Sequence, residues 1–72
     1  MNKDIRIKFA KRLRVLRLKS KWTQEELAEH AELAYRHVQR LESTTNTPPA
    51  KIDTLEKLAK AFGITISQLL KF

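Results

Sequence analysis

Residues 4–20 contain neither glycine nor proline, and within them Ile5, Phe9, Leu13 and Leu16 recur at spacings of four, four and three. That is the period of a helix burying one stripe, so the segment predicts one long first helix. Nowhere does the chain alternate with a period of two over the length of a strand, which leaves a sheet without a candidate. The expected class is therefore all-α. Ser20-Lys21 break the first helix. Thr23 with Glu26 three residues on is a capping-box signature and starts a second helix, whose apolar side is Leu27, Ala28 and Ala31. A third follows almost at once with Val38 and Leu41 inward. "STTNTPP" holds both prolines and no apolar residue and reads as a loop. Ile52, Leu55, Leu58, Ala59 and Phe62 make a fourth helix. Gly63, the only glycine, stands where a helix end favours a left-handed residue. Thr65 with Gln68 repeats the capping box and starts a short fifth helix through Leu69 and Leu70.

At 72 residues the chain has room for one domain, spanning 1–72. A chain this short buries only about 60 % of its unfolded surface, so its stability margin is thin. It has no cysteine, which excludes disulfides and thiolate metal sites. No apolar run approaches a membrane span, and the N-terminus lacks the apolar core of a signal peptide. A soluble, cytoplasmic protein is expected.

Charge carries more information. The formal net charge is +7 and the pI about 10.2, a surplus that points to a polyanion. It is unevenly placed. Residues 1–21 hold nine Lys and Arg against one acid, Asp4, whereas residues 22–33 hold Glu25, Glu26, Glu29 and Glu32 and no Lys or Arg.

Two short helices crossing steeply need a small residue where they touch, and Ala28 supplies it. Leu33 plugs the corner, and Val38 and Leu41 hold the third helix on the bundle. With that side committed inward, Tyr35, Arg36, Gln39 and Arg40 are left pointing out. Arg17 comes four residues after Leu13, and Glu42 four after Val38, so both border the core and are expected to be structural.

From about Phe9 to Leu70 the chain resembles the Cro and lambda-repressor-like (XRE-type) helix-turn-helix family. The resemblance is carried by "LRVLRLKSKWTQEELAEHA", then "VQRLE", then "IDTLEKLAKAFGITISQLL", in that order. It implies a compact five-helix DNA-binding domain that binds operator DNA as a homodimer, with the recognition helix, residues 34–43, in the major groove. It implies that Tyr35, Arg36, Gln39 and Arg40 read bases and that Gln24, Thr23, His37, Ser43 and Lys51 meet phosphates. It further implies an internal salt bridge between Arg17 and Glu42. Ile66, Leu69, Leu70 and Phe72 are candidates for the dimer contact, the alternative being that they seal the core against the first helix. The chain departs from the pattern where Glu32 and Lys21 replace glycines, which sets both in left-handed conformation. Its loop after Glu42 is also slightly longer, with neutral residues where many members carry basic ones.

The resemblance implies a transcriptional regulator, a repressor first, on a near-palindromic operator. The rival reading is an antitoxin-like or co-regulatory subunit acting mainly through a co-encoded protein partner. Glu25, Glu26 and Glu29 read as helix-dipole stabilisation on a solvated face, or as a contact patch for RNA polymerase. The cations of the first helix surround its axis rather than segregate to one side, which argues against a membrane surface. His30 and His37 have no third ligand nearby, so no metal or cofactor is expected and both read as surface histidines. Ser20, Ser43 and Ser67 have no triad setting, and no catalytic constellation is present.

Overall fold

A computed structural model describes residues 3–45 and 47–72, Lys3 and Asp4 by their backbone alone; Asn46 of the expected loop lies outside the described residues. The described residues form five helices and no strand: α1 Lys3–Lys19, α2 Gln24–Ala31, α3 Tyr35–Leu41, α4 Ile52–Phe62 and α5 Ile66–Leu69. The radius of gyration is 10.8 Å.

Each start and stop has a local cause. Thr23 accepts from the Glu26 N–H while the Glu26 carboxylate accepts from the Thr23 N–H, which closes the box that opens α2. Thr65 and Gln68 do the same for α5. The ends of α1, α2 and α4 share one device. A left-handed residue is followed by an apolar one whose N–H reaches back into the last turn: Trp22 to Arg17, Leu33 to Ala28, and Ile64 to Ala59. Trp22, Leu33 and Ile64 then pack against the core. The left-handed residues are Lys21 (φ 61°), Glu32 (φ 56°) and Gly63 (φ 70°), so two of the three bear a side chain where glycine is easier. Lys21→Gly and Glu32→Gly are each expected to raise stability by about 0.5–1 kcal/mol, the relieved strain less the added freedom of the unfolded chain. A higher midpoint in urea at constant slope is the check.

The core joins α1 through Phe9, Ala10 and Leu13 to Leu27, Ala28 and Ala31 of α2, Val38 and Leu41 of α3, Leu58 and Ala59 of α4, and Leu69 of α5. Two expectations need correction. Ile5 and Ile52, read as core, are 56 % and 79 % exposed, because each stands at the start of its helix, beyond the neighbours that would cover it. Leu69, a candidate dimer contact with sealing of the core as the alternative, is fully buried in the protomer's own core. His30 is exposed but not isolated: its ring stacks on Trp22 with centroids 4.2 Å apart, and Trp22 stacks in turn on Phe62 at 5.6 Å.

Polar groups tie the ends of the molecule together. Arg12 donates through Nη2 to the Gln68 carbonyl at 2.8 Å and through Nε to the Leu69 carbonyl at 3.3 Å. These are carbonyls at the end of a four-residue helix, which could not stand alone. A cation of α1 thus caps α5.

Candidate nucleic-acid interface

α3 has seven residues, no side-chain N-cap and no acid in its first turn. Such a helix is held by packing rather than by its own propensity. Val38 and Leu41, both fully buried, supply that packing. Their burial decides what faces water. Arg36, Gln39 and Arg40 are exposed, Tyr35 is 44 % exposed, and His37 sits half-buried at the border. The four residues expected to read bases therefore share one open surface. Ala34, Arg36, His37, Arg40 and Pro48 line a crevice of about 360 Å³ between α3 and the following loop.

Among the described residues Arg36 and Arg40 have no carboxylate partner. They stand four apart on one helix, a like-charge pair that costs an isolated helix a few tenths of a kcal/mol. Two cations of α1 behave otherwise. Arg17, 8 % exposed, gives Nε to Glu42 Oε2 at 2.7 Å, Nη2 to Glu42 Oε1 at 3.1 Å and Nη1 to the Trp22 carbonyl at 2.8 Å. Arg12 is committed to α5. Structure uses those two cations, whereas the two on α3 are left for an outside anion.

The residues expected at phosphates fare differently from one another. Gln24, half-buried at the start of α2, donates Nε2–H to Glu42 Oε1 at 3.2 Å and keeps a second N–H. Thr23 Oγ1 accepts the capping bond from Glu26 and can still donate its hydroxyl proton. Ser43 is engaged within the loop: its Oγ accepts from the Thr45 N–H at 3.3 Å, and its carbonyl accepts from the Thr47 hydroxyl. Lys51 is exposed at the N-cap of α4. Of the acidic residues in α2, Glu26 is spent on the cap, and Glu25 and Glu29 remain exposed.

Sequence reasoning missed the Arg12 cap, the Gln24–Glu42 bond and the Trp22–His30 stack. A faint signal existed for the first, since Arg12 borders the stripe between Phe9 and Leu16. The other two join residues that no local pattern links.

A second surface adjoins the crevice beside α3 at Pro48, which lines both. Ile5, Phe9, Pro48, Ala50, Leu55, Leu70 and Phe72 line an apolar groove of about 440 Å³, with Arg6 at its rim. Leu70 is 39 % and Phe72 50 % exposed. No group of His, Asp or Glu among the described residues could hold a metal ion, and no described helix is long and apolar enough to cross a membrane.

A family model for the Cro/C1-type helix-turn-helix DNA-binding domain matches residues 12–72. The chain is 34 % identical over 73 residues to control protein C.BamHI of Bacillus amyloliquefaciens, across 100 % of this chain and 88 % of that protein. The crystal structure of a hypothetical transcription factor from Neisseria superimposes with a TM-score of 0.83 at 30 % identity, covering 97 % of this chain and 79 % of the other.

Proposed function

The chain belongs to the Cro/C1-type helix-turn-helix DNA-binding family, and from that premise we propose that it is a repressor-type regulator that reads a near-palindromic operator as a homodimer. α3 enters the major groove. Arg36 and Arg40 present forks that match guanine O6 and N7, Gln39 can pair with adenine, and Tyr35 flanks them. The second N–H of Gln24, the Thr23 hydroxyl, His37 and Lys51 fix the register on phosphates, and Ser43 adds a contact from within its loop. The observation that carries this reading is the Arg36–Arg40 pair, without a carboxylate partner among the described residues, on a helix otherwise committed to the core. The likeness to a control protein supports the regulatory role.

Two-fold symmetry would set a pair of recognition helices about 34 Å apart, one turn of duplex. The apolar groove beside Leu70 and Phe72 is the face on which two copies meet, whereas Ile66 packs against the protomer's own core. An isolated protomer would leave Ile5, Ile52 and Phe72 at least half exposed, and pairing covers such a patch. Burying one phenylalanine contributes about 1.5–3 kcal/mol, and a two-fold interface counts it twice. Phe72→Ser should therefore give a monomer by sedimentation equilibrium at concentrations where the parent is dimeric, with an unchanged helical circular-dichroism spectrum. A dimer of undiminished affinity would move the interface elsewhere.

A further inference from the structure

We infer that Glu42 is a positioning residue for DNA: its carboxylate holds the Gln24 side-chain amide so that an N–H, and not the amide oxygen, meets a backbone phosphate. This rests on reading α2 and α3 as the DNA-facing pair.

The Glu42 side chain is 2 % exposed. Oε2 accepts from Arg17 Nε at 2.7 Å, and Oε1 accepts from both Arg17 Nη2 at 3.1 Å and Gln24 Nε2 at 3.2 Å. The two bonds from Arg17 already neutralise the carboxylate and engage both of its oxygens. The third bond is therefore not needed to satisfy Glu42, and its consequence falls on Gln24. A glutamine amide can turn either its NH₂ or its oxygen to a neighbour. Against a carboxylate the oxygen is repelled, so the charge of Glu42 sets the amide in one sense.

That sense suits a phosphate. One N–H goes to Glu42 and the other leaves the same nitrogen in a different direction. A phosphate oxygen only accepts, so an amide turned the other way would repel it. Fixing the amide before binding also removes part of the ordering cost of the contact. Arg17 makes the device tolerable, because it cancels a buried negative charge close to where a polyanion must approach. Its bond to the Trp22 carbonyl at 2.8 Å ties the α1–α2 turn to the same carboxylate. One donor on α2 is thus aimed by α1 and α3 together.

The first test uses the unaltered protein. In ¹⁵N-resolved NMR of the free chain, the Gln24 side-chain proton that bonds Glu42 should exchange with water far more slowly than those of exposed Gln39. Gln24 side-chain protons that exchange as fast as those of Gln39 would overturn the inference. The second test compares duplex binding against salt for the parent, Gln24→Ala, Glu42→Gln and the double variant, with thermal melting read alongside. The Glu42→Gln side chain would keep an oxygen for Arg17 while losing the charge that sets the amide; it also leaves a buried cation without its partner, so binding is compared at a temperature where melting shows every variant folded. Each single change should weaken binding to all duplex sequences alike, by several-fold, while Gln24→Ala, which removes no charge, should leave the slope of log K against log salt unchanged. The double variant should be no weaker than either single one. If Glu42→Gln costs as much in the Gln24→Ala background as in the parent, Glu42 acts through the scaffold and the inference falls. Undiminished binding in both single variants would overturn it while leaving the DNA reading intact. A parent that binds no duplex overturns the DNA reading itself.

Discussion

Arg17→Met is expected to destabilise the protein by about 3–5 kcal/mol, the range found when one partner of a buried ion pair is removed. Glu42, its side chain 2 % exposed, would be left with only the Gln24 amide as a donor, and an uncompensated buried carboxylate is the costly species. The bond to the Trp22 carbonyl would go as well. A chain of 72 residues has a total stability of roughly 4–11 kcal/mol at the usual value per residue, so the loss takes a large share of it and should lower the urea midpoint steeply. Arg17→Met with Glu42→Met is the informative companion. Removing both charges in favour of apolar side chains is often neutral, so the double variant should recover most of the loss. Urea unfolding followed by circular dichroism measures both. A loss below about 1 kcal/mol in the single variant would mean that the pair behaves as a surface one.

Arg36→Ala has the second large effect, on recognition and not on folding. Losing a bidentate guanine contact costs about 1–3 kcal/mol in each half-site, roughly 5- to 150-fold, and the preference should relax at one base position. Stability should rise by a few tenths of a kcal/mol, since the repulsion with Arg40 is gone. Arg36→Lys separates charge from shape. It keeps the cation and so the salt dependence, but it lacks the planar fork and should lose most of the base preference. Equal weakening on all sequences by Arg36→Ala would place that side chain on a phosphate.

Much of this is legible in the chain itself, and the reasons are local. Capping boxes and left-handed C-termini are written within a few residues, so Thr23, Thr65, Lys21, Glu32 and Gly63 mark the ends of helices correctly. Periodicity tells which face of each helix turns inward, and hence which residues of α3 turn out. It cannot tell how far the neighbouring helices extend, and so it assigns Ile5 and Ile52 to a core that does not reach them. Leu69 stays open between interface and core because a four-residue helix has too little pattern to show which side is covered. Polar contacts over long separations are the least visible. Arg12 meets carbonyls 56 and 57 residues away, and Gln24 meets a carboxylate 18 residues away. Nothing in the periodicity of either partner announces such a bond. The Arg17–Glu42 pair is the exception, because both residues sit four places from a buried apolar residue and the family resemblance links them.

The charge distribution acquires a meaning with the fold in view. The cations of α1 that are not bound to α5 or to Glu42, among them Lys8, Lys11, Arg14 and Lys19, are exposed. They lend the molecule a long-range positive potential, which speeds encounter with DNA without choosing a sequence. In the proposed reading, choice falls to the open face of α3.

Selection of binding sites from a random duplex library at near-physiological salt tests that division most directly. The account predicts enrichment of a two-fold-symmetric motif whose half-site centres lie about one helical turn, roughly 10–10.5 base pairs, apart. Absence of enrichment, with binding that vanishes steeply as salt rises, would contradict it and leave charge alone holding the DNA.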